Sequence, residues 1–131
     1  MNESEKTNRF NLKERLINFA VLIVEIVEEM PNTRAANHLA GQLLRSGTSI
    51  ALNYGEAQSG ESRKDFIHKI KRCLKELRET SVCLKIIYRT SQFRSKDEVD
   101  LALKESNELI SIFVKSVKTA LENNNKAGIK E

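Results

Sequence analysis

The chain has 131 residues, enough for one domain with a real core and too few for two comfortable ones. Apolar residues make up 40% and charged residues 31%, with one proline, no tryptophan and 5% aromatics, so a sheet-rich fold finds few of the residues it favours. Net charge is a mild +4, and no apolar stretch nears the roughly 20 residues of a membrane span: the longest, residues 19–24, stops at Glu25.

The start, MNESEKTNR, has no apolar signal region, so a cytoplasmic protein with no membrane partner is expected. The first helix is expected over about 11–30, with Asn11 as its N-cap and Glu14 as the reciprocal acid. Leu12, Leu16, Phe19, Ile23, Ile26 and Met30 recur at alternating threes and fours, the mark of a face packed along a bundle. Ile17, Ala20, Val24 and Val27 form a second seam beside it. Pro31 stops this helix, and Asn32 or Thr33 caps the next.

The second helix is expected over about 33–57, with Ala36, Ala40, Leu43, Gly47, Ile50 and Tyr54 as its apolar face and Gly55 and Gly60 bracketing the turn that follows. The third, over about 62–91, opens on Ser62 with Asp65 and buries Phe66, Ile70, Cys73, Leu77, Thr80, Leu84 and Ile87. The segment TSQFRS makes the third turn. The fourth helix, over about 95–122, opens on a Ser95 and Glu98 capping box and shows Val99, Leu103, Ser106, Ile110, Phe113 and Val117. The polar ends, to Arg9 and from Asn123, are expected to fray. Short connections set neighbouring helices antiparallel, which predicts a single all-α domain over residues 1–131: an up-down-up-down four-helix bundle.

Two features exceed what a lone bundle needs. The first helix has two apolar seams, and the second has Ala36, Ala40, Gly41, Gly47 and Ala51 where larger residues would fill space. Each interior glycine costs about 1 kcal/mol against alanine. A tight intramolecular helix pair would offset that; so would a subunit interface.

No catalytic constellation is present, and the chain is expected not to be an enzyme and to need no cofactor. His38 and His68 lie on different helices, and neither has a cysteine at nucleophile–base spacing. Cys73 and Cys83 fall in one predicted helix, about 15 Å apart along its axis, so they cannot bridge each other. Nothing has metal-ligand spacing. The glycines at 55–60 lack the strand and lysine of a phosphate loop, and pairs such as Glu28 with Glu29 or Asp97 with Glu98 sit at helix ends as solvated acids.

The informative polar residues lie within helices two and three. Gln42, Arg45, Ser49, Asn53 and Glu56 form one polar stripe, and Asp65, Lys69, Arg72, Glu76 and Glu79 another. With the turn centred near Gly60, Arg45 falls close to Glu76 and Asn53 close to Phe66 and Lys69, which makes an inter-helix polar network natural. Ordinary surface pairs along each helix would read the same way. The positive charge is also local. Across 1–30, 31–60, 61–91 and 92–131, basic less acidic side chains come to −2, +1, +5 and 0. An anionic partner would use such a stripe, and a helix's solvated face can resemble it.

The run QLLRSGTSIALNYGEAQSGESRKDFIHKIKRCLKELRETSVCLKII resembles the four-helix-bundle proteins encoded within intervening sequences of bacterial 23S ribosomal RNA genes. The pieces that carry the resemblance are QLxRSxTSI at 42–50, NYxEAQ at 53–58, ESRxDFIHK at 61–69 and LKExxET at 74–80. The strongest similarity covers about a third of the chain, and the helix plan extends it to most of the rest. The sequence departs from the family at Lys71 and Arg72, where small or apolar residues are common, and at Cys83, where an aromatic is frequent. The resemblance implies a homopentamer. The family is also similar to the accessory proteins of diversity-generating retroelements, which associate with RNA and a reverse transcriptase.

The expected function is therefore that of a non-enzymatic, oligomeric, RNA-associated bundle. Its candidate phosphate contacts are Arg63, Lys64, Lys71, Arg72, Lys75, Arg78, Lys85 and Arg89. Stacking platforms are scarce, with Tyr54, Tyr88 and Phe93 the outlying candidates. The alternative is a scaffold that binds another polypeptide, such as a reverse transcriptase, through its apolar helix faces.

Overall fold

The computed structural model describes residues 3–59, 62–90 and 96–126, with side chains from 12 to 125 within those ranges. Four helices follow in order: α1 Glu3–Glu29, α2 Arg34–Gln58, α3 Arg63–Arg89 and α4 Lys96–Lys126. The described residues contain no strand. Cross-helix pairs fix the directions. Arg45 meets Glu76 while Glu56 meets Lys69, and Arg15 meets Glu105 and Glu108 while Glu25 and Glu29 act on Glu98, so α2 runs against α3 and α1 against α4.

Local chemistry accounts for the helix ends. Thr33 caps α2 by accepting a hydrogen bond from the Ala36 amide at 3.1 Å, and Ser62 caps α3 by accepting from the Asp65 amide at 3.0 Å. Pro31 follows the end of α1 closely. Two expectations change. α1 runs unbroken through Asn11 from Glu3, so Asn11 is helix interior and no cap. Gly55 lies inside α2 and does not open the turn, while Gly60 lies outside the described residues. Ser95, proposed to cap α4, also lies outside them.

The core follows from the heptad-like burial of each helix. Leu16, Phe19, Ile23 and Ile26 of α1 are buried, as are Leu43, Ile50 and Tyr54 of α2 and Ile70, Cys73, Leu77, Leu84 and Ile87 of α3. On α4 the buried line is Val99, Ala102, Ser106, Leu109 and Phe113; Leu103, Ile110 and Val117, expected on it, flank it half-buried. The rings of Tyr54 and Phe113 meet edge to face across the core with centroids 6.0 Å apart. The buried Ser46 and Thr80 satisfy each other, their hydroxyl oxygens 2.9 Å apart. Burial also pushes the Cys73 thiol up to about 12, so it stays protonated and unreactive.

The glycines of α2 divide sharply. A Cβ at position 47 would lie 2.8 Å from Ile23 Cγ2 and 2.9 Å from its Cγ1. Both atoms belong to a β-branched side chain that is stiff at χ1, so it cannot swing aside cheaply. Gly47 therefore answers the close packing of α1 on α2. Gly41 and Gly55 have nothing within 4 Å of an added Cβ, so no packing inside the chain requires them.

Two enclosed polar atoms oppose stability, Asn124 Oδ1 and one on Glu98. Glu98 Oε2 is enclosed without a hydrogen-bond partner among the described residues. Desolvation first, then Glu29 and Glu25, raise the Glu98 carboxyl above its usual value. The N-terminal turn of α4 would pull it down; the net direction shows that the other causes win.

Two measurements check these points. In urea denaturation, Gly47→Ala should lower stability by about 1–3 kcal/mol through overpacking. Gly41→Ala should raise it by about 0.5–1 kcal/mol through helix propensity. Glu98→Gln should raise the thermal midpoint at neutral pH. A raised carboxyl gives its full stability only below the unfolded value near 4.3 and loses it as pH rises through the folded value, so the gain should vanish in acid.

Candidate nucleic-acid interface

α3 separates its charges by face. Its three acids within the helix, Asp65, Glu76 and Glu79, lie off the outward line, and the last two turn towards α2. Arg45 Nη1 lies 3.2 Å from Glu76 Oε2, and Arg45 Nη2 lies 2.7 Å from Glu79 Oε2. Lys69 Nζ reaches Glu56 Oε2 at 2.7 Å. The hydrogen bond from Arg45 holds the Glu79 carboxyl below its ordinary value, and that from Lys69 does the same for Glu56. Both carboxylates raise Arg45, with the Glu79 hydrogen bond the larger cause.

The other members of the expected network behave differently. Asn53 Nδ2 donates to the Ser49 carbonyl on its own helix, and Ser49 Oγ to the Ser46 carbonyl, so neither reaches across to α3. Local back-bonding of this kind competes with longer contacts. Asp65 sits in the first turn of α3, where its charge suits the helix N-terminus, and Gln42 stands on the rim of the groove described below.

The eight candidate cations all project outward. Arg63, Lys64, Lys71, Arg72, Lys75, Arg78, Lys85 and Arg89 are each exposed. None forms an ion pair with a described residue, whereas Arg15, Arg45, Lys69 and Lys104 do. Lys64, Lys71, Arg78 and Lys85 recur every seven residues, the period that keeps one row facing the same way in a bundle. At about 1.5 Å per residue the row runs for about 31 Å. That period was present in the sequence, as a heptad of cations, and a charge count by segment passes over it.

Three of these cations, Lys71, Lys75 and Arg78, stand on a groove of about 710 Å³ between α2 and α3. His38 and Arg45 complete its rim from α2, and Leu39, Leu74, Val82, Cys83 and Ile86 give it an apolar lining. Val82 is 55% exposed and Ile86 44%, so apolar surface interrupts the basic face. The remaining five cations stand clear of this groove.

The proposed stacking platforms are mostly withdrawn. Tyr54 is buried against Phe113 and offers no face to a base. Lys96 lies 5.2 Å from the ring centre of Tyr88, covering one face. Phe93 lies outside the described residues. His38 and His68 are exposed on separate helices, and the described residues hold no cluster of metal-ligating side chains. No helix among them is long and apolar enough to cross a membrane. What this surface offers chemically is charge for phosphates, with little for reading bases.

A family model described as 23S rRNA-intervening sequence protein matches residues 9–115. Among solved structures, a protein with unknown function from the S23 ribosomal protein family of Bacteroides thetaiotaomicron is 33% identical with a TM-score of 0.74. That match covers 81% of this chain and 97% of the other. No curated protein matches the chain.

The Arg45 cluster has a testable pH signature. Arg45→Ala should destabilise the bundle at neutral pH, modestly because the guanidinium is largely exposed. Glu79 has a lowered folded value, so its contribution is present above the unfolded value near 4.3 and is lost as pH falls through the folded one. The difference in thermal midpoint between parent and variant should therefore shrink on acidification. A difference that stays constant to pH 2 would contradict this assignment.

Proposed function

The chain belongs to the 23S rRNA-intervening sequence protein family, and from that premise we propose that it is a non-enzymatic, RNA-associated protein that works as an oligomer. The observation that carries the reading is the outward face of α3, where eight exposed cations form no ion pair with a described residue. An exposed ion pair contributes about 0–1 kcal/mol, so cations left unpaired in a row are not there for stability. They suit a polyanion whose charges repeat along a line.

Recognition through phosphates gives weak sequence preference and strong salt dependence, because each contact releases counterions. Assembly would repeat the basic face, and a polyanion that reaches several copies gains avidity from weak single sites. The pentamer that the family resemblance implies would supply five such faces. A protein-interaction scaffold, with a reverse transcriptase among its candidate partners, is the second reading. It is favoured by the apolar residues left open on the surface, Leu52 at 70% exposure foremost.

The test is an anisotropy titration of structured RNA at several salt concentrations. The parent should bind tightly at low salt and weaken steeply as salt rises. Changing Lys64, Arg72, Lys85 and Arg89 to glutamine spares the groove. Each lost phosphate contact should lower the slope of log affinity against log salt by about 0.7–0.9, up to about 3 in all. If this variant binds as the parent does, the face is merely solvated and the scaffold reading takes its place.

A further inference from the structure

The outward face of α3 holds more than one row. Lys64, Lys71, Arg78 and Lys85 mark every seventh residue, and a second row of the same period, His68, Lys75, Val82 and Arg89, runs beside it, offset by four. Interleaved, the two rows step by four and three from residue 64 to 89, which makes one ridge about 38 Å long. All eight of its side chains are exposed. Six of them are lysine or arginine, and the two gaps in the charge are Val82 and His68. Val82 stands on the groove between α2 and α3, whereas His68 lies clear of it, one turn from Lys64 and one from Lys71. An imidazole carries charge only when protonated, so this gap is one that a proton can close.

Nothing within the described residues holds that imidazole by an ion pair or a hydrogen bond. The charged groups around it come from three helices. On α3 itself Lys64, Asp65, Lys71 and Arg72 are one turn away. The acid of α2 at this level is Glu56, which Lys69 holds at 2.7 Å and Arg72 also attracts. On α4, counting from the turn that joins it to α3 sets Lys115, Lys118 and Glu122 level with His68. Cations outnumber acids in this set, and no carboxylate of the described residues pairs with the ring. The anion that would favour its protonated form comes from a ligand.

We propose that His68 is a further phosphate contact of the RNA face, one that engages on protonation and makes RNA binding respond to pH. The proposal rests on the RNA association given above and adds its regulation. An imidazolium donates from both ring nitrogens, so it holds a phosphate oxygen as the lysines beside it do. A phosphate beside an imidazole favours the protonated form, and the protonated form favours the phosphate, so the two events are linked. The form that binds carries the extra proton, and affinity therefore rises as pH falls through the ordinary histidine range near 6.5. Lysine and arginine stay charged throughout that range. Protonation thus takes the ridge from six charges to seven and closes the interval between Lys64 and Lys71.

Anisotropy titrations of a structured RNA at pH 5.5 and 7.5, each at several salt concentrations, test this on the whole chain. The parent should bind roughly threefold tighter at the lower pH, with a slope of log affinity against log salt steeper by about 0.7–0.9. His68→Gln cannot take up the charge and should lose both responses. His68→Arg should hold the tighter binding and the steeper slope at both pH values. His38 is the other histidine of the chain, and His38→Gln should keep the parent's response. Both histidines are exposed, so the fold should persist, as circular dichroism will show. If His68→Gln responds to pH as the parent does, His68 is a solvated side chain and the proposal falls. A parent that binds RNA equally at both pH values also sinks it, while RNA association stands. A parent that binds no RNA at either pH in low salt overturns both.

Discussion

Ile23 of α1 occupies the space that a side chain at position 47 of α2 would fill, and the remaining helices sit where that close approach places α2. With α1 drawn in, the next face of α2 presents Ser46 to Thr80 of α3, a contact between two small hydroxyl side chains that also tolerates little separation. Further along α2, Tyr54 reaches Phe113 of α4. Gly47 gives up about 1 kcal/mol of helix propensity to allow that close approach, and the buried core offsets it.

Charge follows the same division between inside and outside. The acids of α3 that face α2 meet Arg45, and Lys69 meets Glu56. Those contacts join two neighbouring helices and leave the charges on the outer face of α3 all positive, among apolar residues such as Val82 and Ile86. Like charges along a helix repel, and the attraction of Arg72 to Glu56 and of Lys75 to Glu79 offsets this only in part. A row of this kind keeps a protein soluble and also attracts anions, and the seven-residue spacing of Lys64, Lys71, Arg78 and Lys85 aligns that attraction with the long axis of the bundle.

Apolar surface is similarly divided. A single bundle covers one stripe per helix, and α1 has more than one. Its second seam covers Ala20 and Val27 in part and leaves Ile17 and Val24 open. The groove beside α3 leaves Val82 and Ile86 open as well. Scattered exposed apolar residues are ordinary, but two continuous patches with opposite charged borders are less so.

The residues alone determined the four helices, their order and most of their buried faces. Burial along a helix is periodic, and a period survives without knowledge of the neighbour; hence Leu16, Phe19, Ile23 and Ile26, or Ile70, Cys73, Leu77 and Leu84, were legible at once. The cap at Ser62 was legible too, and that at Thr33 as one of two candidates with Asn32, because a cap is satisfied within its own turn. The tertiary structure decided what depends on the facing helix. Only contact with Ile23 separates Gly47, which is packed, from Gly41 and Gly55, which are open. The choice of Ala102 and Leu109 over Leu103 and Ile110 on α4 is a rotation of a few tens of degrees, set by the partners it packs against. Asn53 turned back to Ser49 instead of crossing to α3, and Tyr54 went to the core, because local carbonyls and a neighbouring ring were nearer than any surface partner. The groove between α2 and α3 appears in neither helix by itself, since its lining comes from two segments that only folding sets side by side.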